Sequence, residues 1–231
     1  MERGSGASSA YGLSRRTQFF LGLLTLHTAL LVTCTIAANK FFALPFGTGA
    51  SGTVFSYVLT FVALDTIAEL YGRQYSRLVI NFGLAAMLLS ALYLQFVIWL
   101  PPARNYDKQA ALEAIMGSSF RVWLGGWVAY MISQHLDLWS FLRLKEWPLH
   151  RVSLPLRAWI SMVLGQMVDT SIFMTIAFLG VYPVLPMILG QFAIKLVMIT
   201  LTTPLVPLAV AAGRRFIGAE TELEALEEVS G

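Results

Sequence analysis

The chain alternates between long apolar stretches and short polar breaks. Apolar runs lie near residues 18–41, 49–70, 78–100, 117–140, 158–180 and 187–211. Each is long enough, at roughly 20 residues, for a helix to cross the hydrocarbon core of a bilayer. Between them stand "LPFGTG", "YGRQ", "LPPARNYD", "EWPLHR" with Pro155, and "VYPVLP", where Gly, Pro and charged residues end the helical pattern. The pattern predicts an all-α integral membrane protein of six transmembrane helices over 18–211. A short segment, 1–17, precedes them, and an acidic tail, 212–231, follows.

Composition points the same way: of 231 residues, 57% are hydrophobic and 13% charged. That excludes an ordinary soluble domain. The run from Phe19 to Ala38 is longer than the roughly 7–15 residues of a signal-peptide core, so it is expected to persist as a helix. "LVTC" is a poor lipoprotein signal, because Thr33 stands where a smaller residue is needed. Cys34 is the one cysteine, which rules out an intramolecular disulfide and a CxxC metal or redox site.

Basic residues set the orientation. With the N-terminus cytoplasmic, that side holds Arg3, Arg15, Arg16, Arg73, Arg77, Arg143, Lys145, Arg151, Arg157, Arg214 and Arg215, eleven of the sixteen Lys and Arg. Arg104 and Lys108 lie opposite, so the expected topology is N-in, C-in. Three helices followed by three start from opposite sides, so any duplication would be a 3+3 inverted repeat, a common plan of secondary transporters. The only hint of one is "LDT" at Asp65 in the second helix and "VDT" at Asp169 in the fifth.

Acids inside these spans need a reason, since one at mid-bilayer costs about 2.5–3.5 kcal/mol on insertion scales. Asp65, Glu69, Arg73 and Arg77 recur every four residues, which would make one helical stripe with Glu69 ahead of Arg73 in the favourable order for an interfacial ion pair. Gln134 with Asp137, and Gln166 with Asp169, form matching i, i+3 pairs, each setting an amide beside a carboxylate. Amides alone would serve to join helices, so the carboxylates point to a binding site. Gln191 and Lys195 lie one turn apart in the last helix, where Lys195 is placed to neutralise Asp169 or Asp65. Asn39 and Lys40 end the first helix; Lys40 can snorkel to the interface.

His27 and His135 are isolated, no metal-ligand spacing exists, and there is no P-loop or nucleophile motif. Neither a metal nor a cofactor is expected. The chain is read as no enzyme, and its tryptophans as mostly interfacial.

The residues "ANK" at 38–40, "FSYVLTFVALDTIAELYGR" in the second helix, "SQHLD" in the fourth and "GQMVDTSIFMTIAFLG" in the fifth resemble the queuosine precursor transporter family, also called the vitamin uptake transporter family. The resemblance spans roughly 30–200. It implies a multi-pass protein of the bacterial cytoplasmic membrane that imports 7-deazaguanine precursors, the 7-cyano or 7-aminomethyl forms, for tRNA modification. The partner so implied is a free nucleobase, not a nucleic acid. A guanine-like edge carries two adjacent N–H donors beside an acceptor, so a carboxylate takes the donors while an amide or Lys serves the acceptor. Phe173, one turn past Asp169, is placed to stack on the base. Alternating access with a coupling proton on one acid is the expected mechanism, and a homodimer is left open.

Three other readings compete. A substrate-binding subunit of an energy-coupling-factor importer has similar size, and Ala29, Thr33 and Ala37 make a small-residue stripe suited to a partner helix. An intramembrane hydrolase would use Asp137 and Asp169 as a carboxyl pair. A structural assembly factor leaves the buried acids unexplained.

Overall fold

The computed structural model describes residues 12–38, 40–43, 49–117, 120–146, 152–181 and 183–230, the last dozen of them as backbone only. The elements are α1 (Arg15–Ala37), β1 (Phe41–Ala43), β2 (Gly49–Ser51), α2 (Thr53–Tyr71), α3 (Arg73–Trp99), α4 (Gln109–Met116), α5 (Phe120–Glu146), α6 (Leu154–Phe178), α7 (Val184–Thr202) and α8 (Leu205–Ser230). The two strands pair antiparallel, with Phe42 opposite Ala50. The rest is a helical bundle.

Among the described residues, five stretches are long and apolar enough to cross a membrane: α1, α2, α3, α6, and Val184–Gly218, which covers α7 and the first part of α8. α5 is as long as α3, at 27 residues. It carries His135, Asp137, Arg143 and Lys145, and packs most extensively against α6.

α2 is the hub of the bundle. Every residue from Thr60 to Ala68 is buried, on all sides of the helix, which means protein and not lipid surrounds it. That placement is what makes Asp65 tolerable there. A polar tie crosses the same core: His27 Nδ1 lies 3.1 Å from the Thr60 carbonyl and Nε2 lies 3.2 Å from the Tyr130 hydroxyl. Tyr130 donates to the Ile80 carbonyl at 3.1 Å, so one His–Tyr pair joins α1, α2, α3 and α5.

Gly83 makes the close approach around Tyr130 possible, because a Cβ there would run into the Tyr130 hydroxyl and Leu31 Cδ1. Gly83→Ala is expected to destabilise the bundle by about 1–3 kcal/mol through overpacking. A lower unfolding temperature in detergent, with unchanged helix content, is the check.

Two expectations need correction. Gly72, with φ 82°, is the single residue linking α2 to α3, a left-handed conformation that glycine adopts without strain. The break divides the Asp65, Glu69, Arg73, Arg77 stripe between two helices, so Glu69 does not pair with Arg73. The expected last helix over 187–211 is interrupted at Pro204, which has no N–H to give to the Thr200 carbonyl. Beyond that break α8 runs on through the segment expected as a tail.

Candidate functional site

α1, α2, α3, α5, α6 and α7 surround a cavity of about 390 Å³ at the end of the bundle that carries the strands and α4. Its walls come from the C-terminal halves of α1, α3 and α6 and the N-terminal halves of α2, α5 and α7. The volume lies in the range of small-molecule sites. Trp123, Trp127, Phe173 and Phe178 supply aromatic wall, while Asp169, Thr170, Gln191 and Lys195 supply polar groups.

The polar centre is a buried ion pair. Lys195 Nζ donates to Asp169 Oδ2 at 2.8 Å and to Thr170 Oγ1 at 2.9 Å. Tyr57 donates to Asp169 Oδ1 at 2.8 Å, and Ser133 approaches the same oxygen at 3.5 Å. Lys195 also sits over the Tyr57 ring, 5.3 Å from its centroid. Asp169 thus holds α2, α5 and α7 from its place on α6. A carboxylate with both oxygens engaged has its orientation fixed, which is the condition for selective recognition of a ligand edge. The ammonium has three N–H donors, two of them used here, so one is left to turn toward the cavity.

Of the residues singled out from the sequence, the structure brings Asp169, Phe173, Gln191 and Lys195 to this cavity. Asn39 lies outside the described residues. Asp65, Glu69, Gln134, Asp137 and Gln166 do not line it; all but Glu69 are buried deeper in the bundle, on α2, α5 and α6. The two amide–carboxylate pairs are therefore not equivalent. Gln134 approaches Thr60 at 3.4 Å, Gln166 has no hydrogen-bond partner among the described residues, and only Asp169 reaches the cavity.

Glu69 occupies the opposite end of the bundle. Its carboxylate meets Lys145 at 3.0 Å, Arg157 at 3.3 Å and Arg214 at 3.6 Å, which ties α2 to α5, α6 and α8. Arg157 is itself buried and lies over the Phe141 ring at 5.1 Å. Arg121, at the cavity end, donates to the carbonyls of Ile176 and Leu179 and so caps the C-terminus of α6. His135 bonds within its own helix to the Met131 carbonyl.

Sequence reasoning missed Tyr57, Ser133, Thr170 and Arg157, and did not give Trp123 and Trp127 a place in the cavity wall. Tyr57 was two turns ahead of Asp65 within a quoted motif, yet a tyrosine near a helix start looks like an interfacial anchor. Arg157 was counted among loop cations.

A polytopic helical membrane protein whose aromatic-walled cavity ends on a buried ion pair has the layout of a small-molecule transporter. Residues 51–209 match the family described as "Putative vitamin uptake transporter", and the chain belongs to that family. A protein of Bacillus subtilis (strain 168) described as "Probable queuosine precursor transporter" is 36% identical over 128 residues, 55% of this chain and 56% of that protein. The match thus spans about half the length of that relative. No solved structure matches the chain.

Proposed function

We propose that the protein imports a 7-deazaguanine precursor of queuosine across the bacterial cytoplasmic membrane by alternating access, with six spans in the N-in, C-in orientation. The observation that carries the reading is the Asp169–Lys195 pair at the floor of an aromatic-walled cavity. In that orientation the cavity opens outward, and the Glu69 cluster closes the cytoplasmic end. Asp169 takes the adjacent N–H donors of the guanine-like edge. Lys195 or Gln191 serves the ring acceptor, and Phe173 with the cavity tryptophans stacks on the flat base. Family membership and the name of the Bacillus relative support the same substrate class.

A binding subunit for an energy-coupling-factor importer is the second reading. Ala29 and Thr33 lie exposed on α1, where a partner helix could seat. Restoration of queuosine in the tRNA of a precursor-auxotrophic host that lacks any importer ATPase module supports the stand-alone carrier, whereas restoration only with the module supports the subunit.

Cys34 borders the cavity, buried beside Ser56, and is the chain's one cysteine, so a thiol reagent that enters the cavity reads this site alone. Alkylation of Cys34 is expected to slow as 7-cyano-7-deazaguanine is added, and to be unaffected by adenine. Equal rates with and without the deazaguanine would remove this cavity as its site.

A further inference from the structure

We propose that Asp65 and Asp137 form a proton-binding site, separate from the substrate cavity, and that the proton held there drives accumulation of the substrate. The inference rests on the transport reading above.

Both side chains are completely buried, and their carboxyl groups come within hydrogen-bonding reach of each other from α2 and α5. No donor among the described residues satisfies any of the four oxygens. Ser161 stands beside Asp137, but its hydroxyl donates to the Ala158 carbonyl at 3.1 Å. Two ionised carboxylates in this position would repel each other, with no solvent to screen them. One proton between them turns the same contact into a hydrogen bond and halves the buried charge. The two groups stand within hydrogen-bonding reach of each other, so a single proton suffices to bridge them.

The surroundings suit a site that loads and unloads. Arg157 on α6 lies close enough to Asp65 to attract its charge, and its Nε and Nη1 have no hydrogen-bond partner among the described residues, while its Nη2 is held by Glu69. Glu69 stands one turn further along α2, backed by Lys145 from α5 and Arg214 from α8. His27 on α1 is engaged by Thr60 and Tyr130, Lys195 on α7 by Asp169, and Arg73 and Arg77 on α3 are exposed. Among the described residues, the cation at the pair is therefore Arg157. A swing of its guanidinium from Glu69 toward Asp65 would favour release of the proton, and the reverse swing its uptake.

The pair also lies between the two ends of the pathway. Ser133 touches Asp169 at the cavity floor and precedes Asp137 by one turn on α5. Gly165 permits the contact: a Cβ there would lie 3.2 Å from Asp137 Cβ and 3.3 Å from the Ser133 carbonyl.

Asparagine copies a protonated aspartate in shape and charge, so Asp65→Asn and Asp137→Asn should fold. Purified protein in proteoliposomes is tested for accumulation of 7-cyano-7-deazaguanine under an imposed pH gradient and for one-for-one exchange without a gradient. Wild type is expected to do both; each variant is expected to lose accumulation and keep both exchange and protection of Cys34. Infrared difference spectra between wild type and each variant should contain the carbonyl stretch of a protonated carboxylic acid. Accumulation that persists in both variants, the absence of that band, or a gradient requirement met by sodium and not by protons overturns the proposal. If wild type neither exchanges the deazaguanine nor has Cys34 protected by it, the substrate reading fails instead, and the infrared band still decides whether the pair holds a proton.

Discussion

Asp169→Asn abolishes uptake and destabilises the protein by roughly 3–5 kcal/mol, the cost of leaving one member of a buried ion pair unpaired. Lys195 has no other anion to turn to among its hydrogen-bond partners, which are Asp169 and Thr170. An amide oxygen keeps one contact but leaves the ammonium charge uncompensated, and Tyr57 loses a charged acceptor. The double variant Asp169→Asn, Lys195→Met removes both charges. Replacement of a buried pair by uncharged groups is often neutral or stabilising, so thermal stability should recover while uptake stays absent. Unfolding temperature in detergent and uptake in cells read the two effects apart. Recovery of uptake in the double variant would make the pair purely structural and move recognition elsewhere; a single variant as stable and active as wild type would deny it both roles.

Much of the fold was legible because its governing signal is local. An apolar run bounded by Gly, Pro and charge specifies a membrane helix without knowledge of its neighbours, and the first five runs fall within several residues of α1, α2, α3, α5 and α6, while the sixth covers α7 and the start of α8. What pairs with what is not local. Asp65 and Asp169 stand in like sequence contexts, "LDT" and "VDT", but α2 is enclosed on all sides around Asp65 whereas α6 turns one face to the cavity at Asp169. Their different surroundings arise from packing alone, and only the assembled bundle gives Lys195 to Asp169 and Asp137 to Asp65. The spacing of Glu69 and Arg73 misled for a related reason: a four-residue interval means one face only if the helix continues, and Gly72 ends it. Tyr57 and Arg157 belonged to types with an ordinary duty at membrane surfaces, so nothing in their spacing marked them as interior.

Loss of the Glu69 carboxylate should open the end of the bundle opposite the cavity. Among the described residues, Glu69 is the acid that Lys145, Arg157 and Arg214 share, and the two surface cations contribute little to stability on their own. Arg157 matters more, because Glu69→Gln leaves its guanidinium buried without an ionised partner at that position, at a cost of roughly 3–5 kcal/mol. Arg157 can then turn toward Asp65 or draw in water as α6 moves outward, and the second response separates α6 from α2 and α5 at this end. Ser161, fully buried one turn past Arg157 on α6, would then meet solvent. In a Cys34→Ser background, a cysteine introduced as Ser161→Cys is expected to resist a membrane-impermeant maleimide in the otherwise wild-type chain, and to react when Glu69→Gln is added. Glu69→Asp, which keeps the charge, should react at a rate between the two. Such a graded response would identify the cluster as the latch of the inward gate. Equal protection in all three forms would mean that the helices are held at this end by apolar packing around Phe141 and Met162, and that the ion network only decorates it.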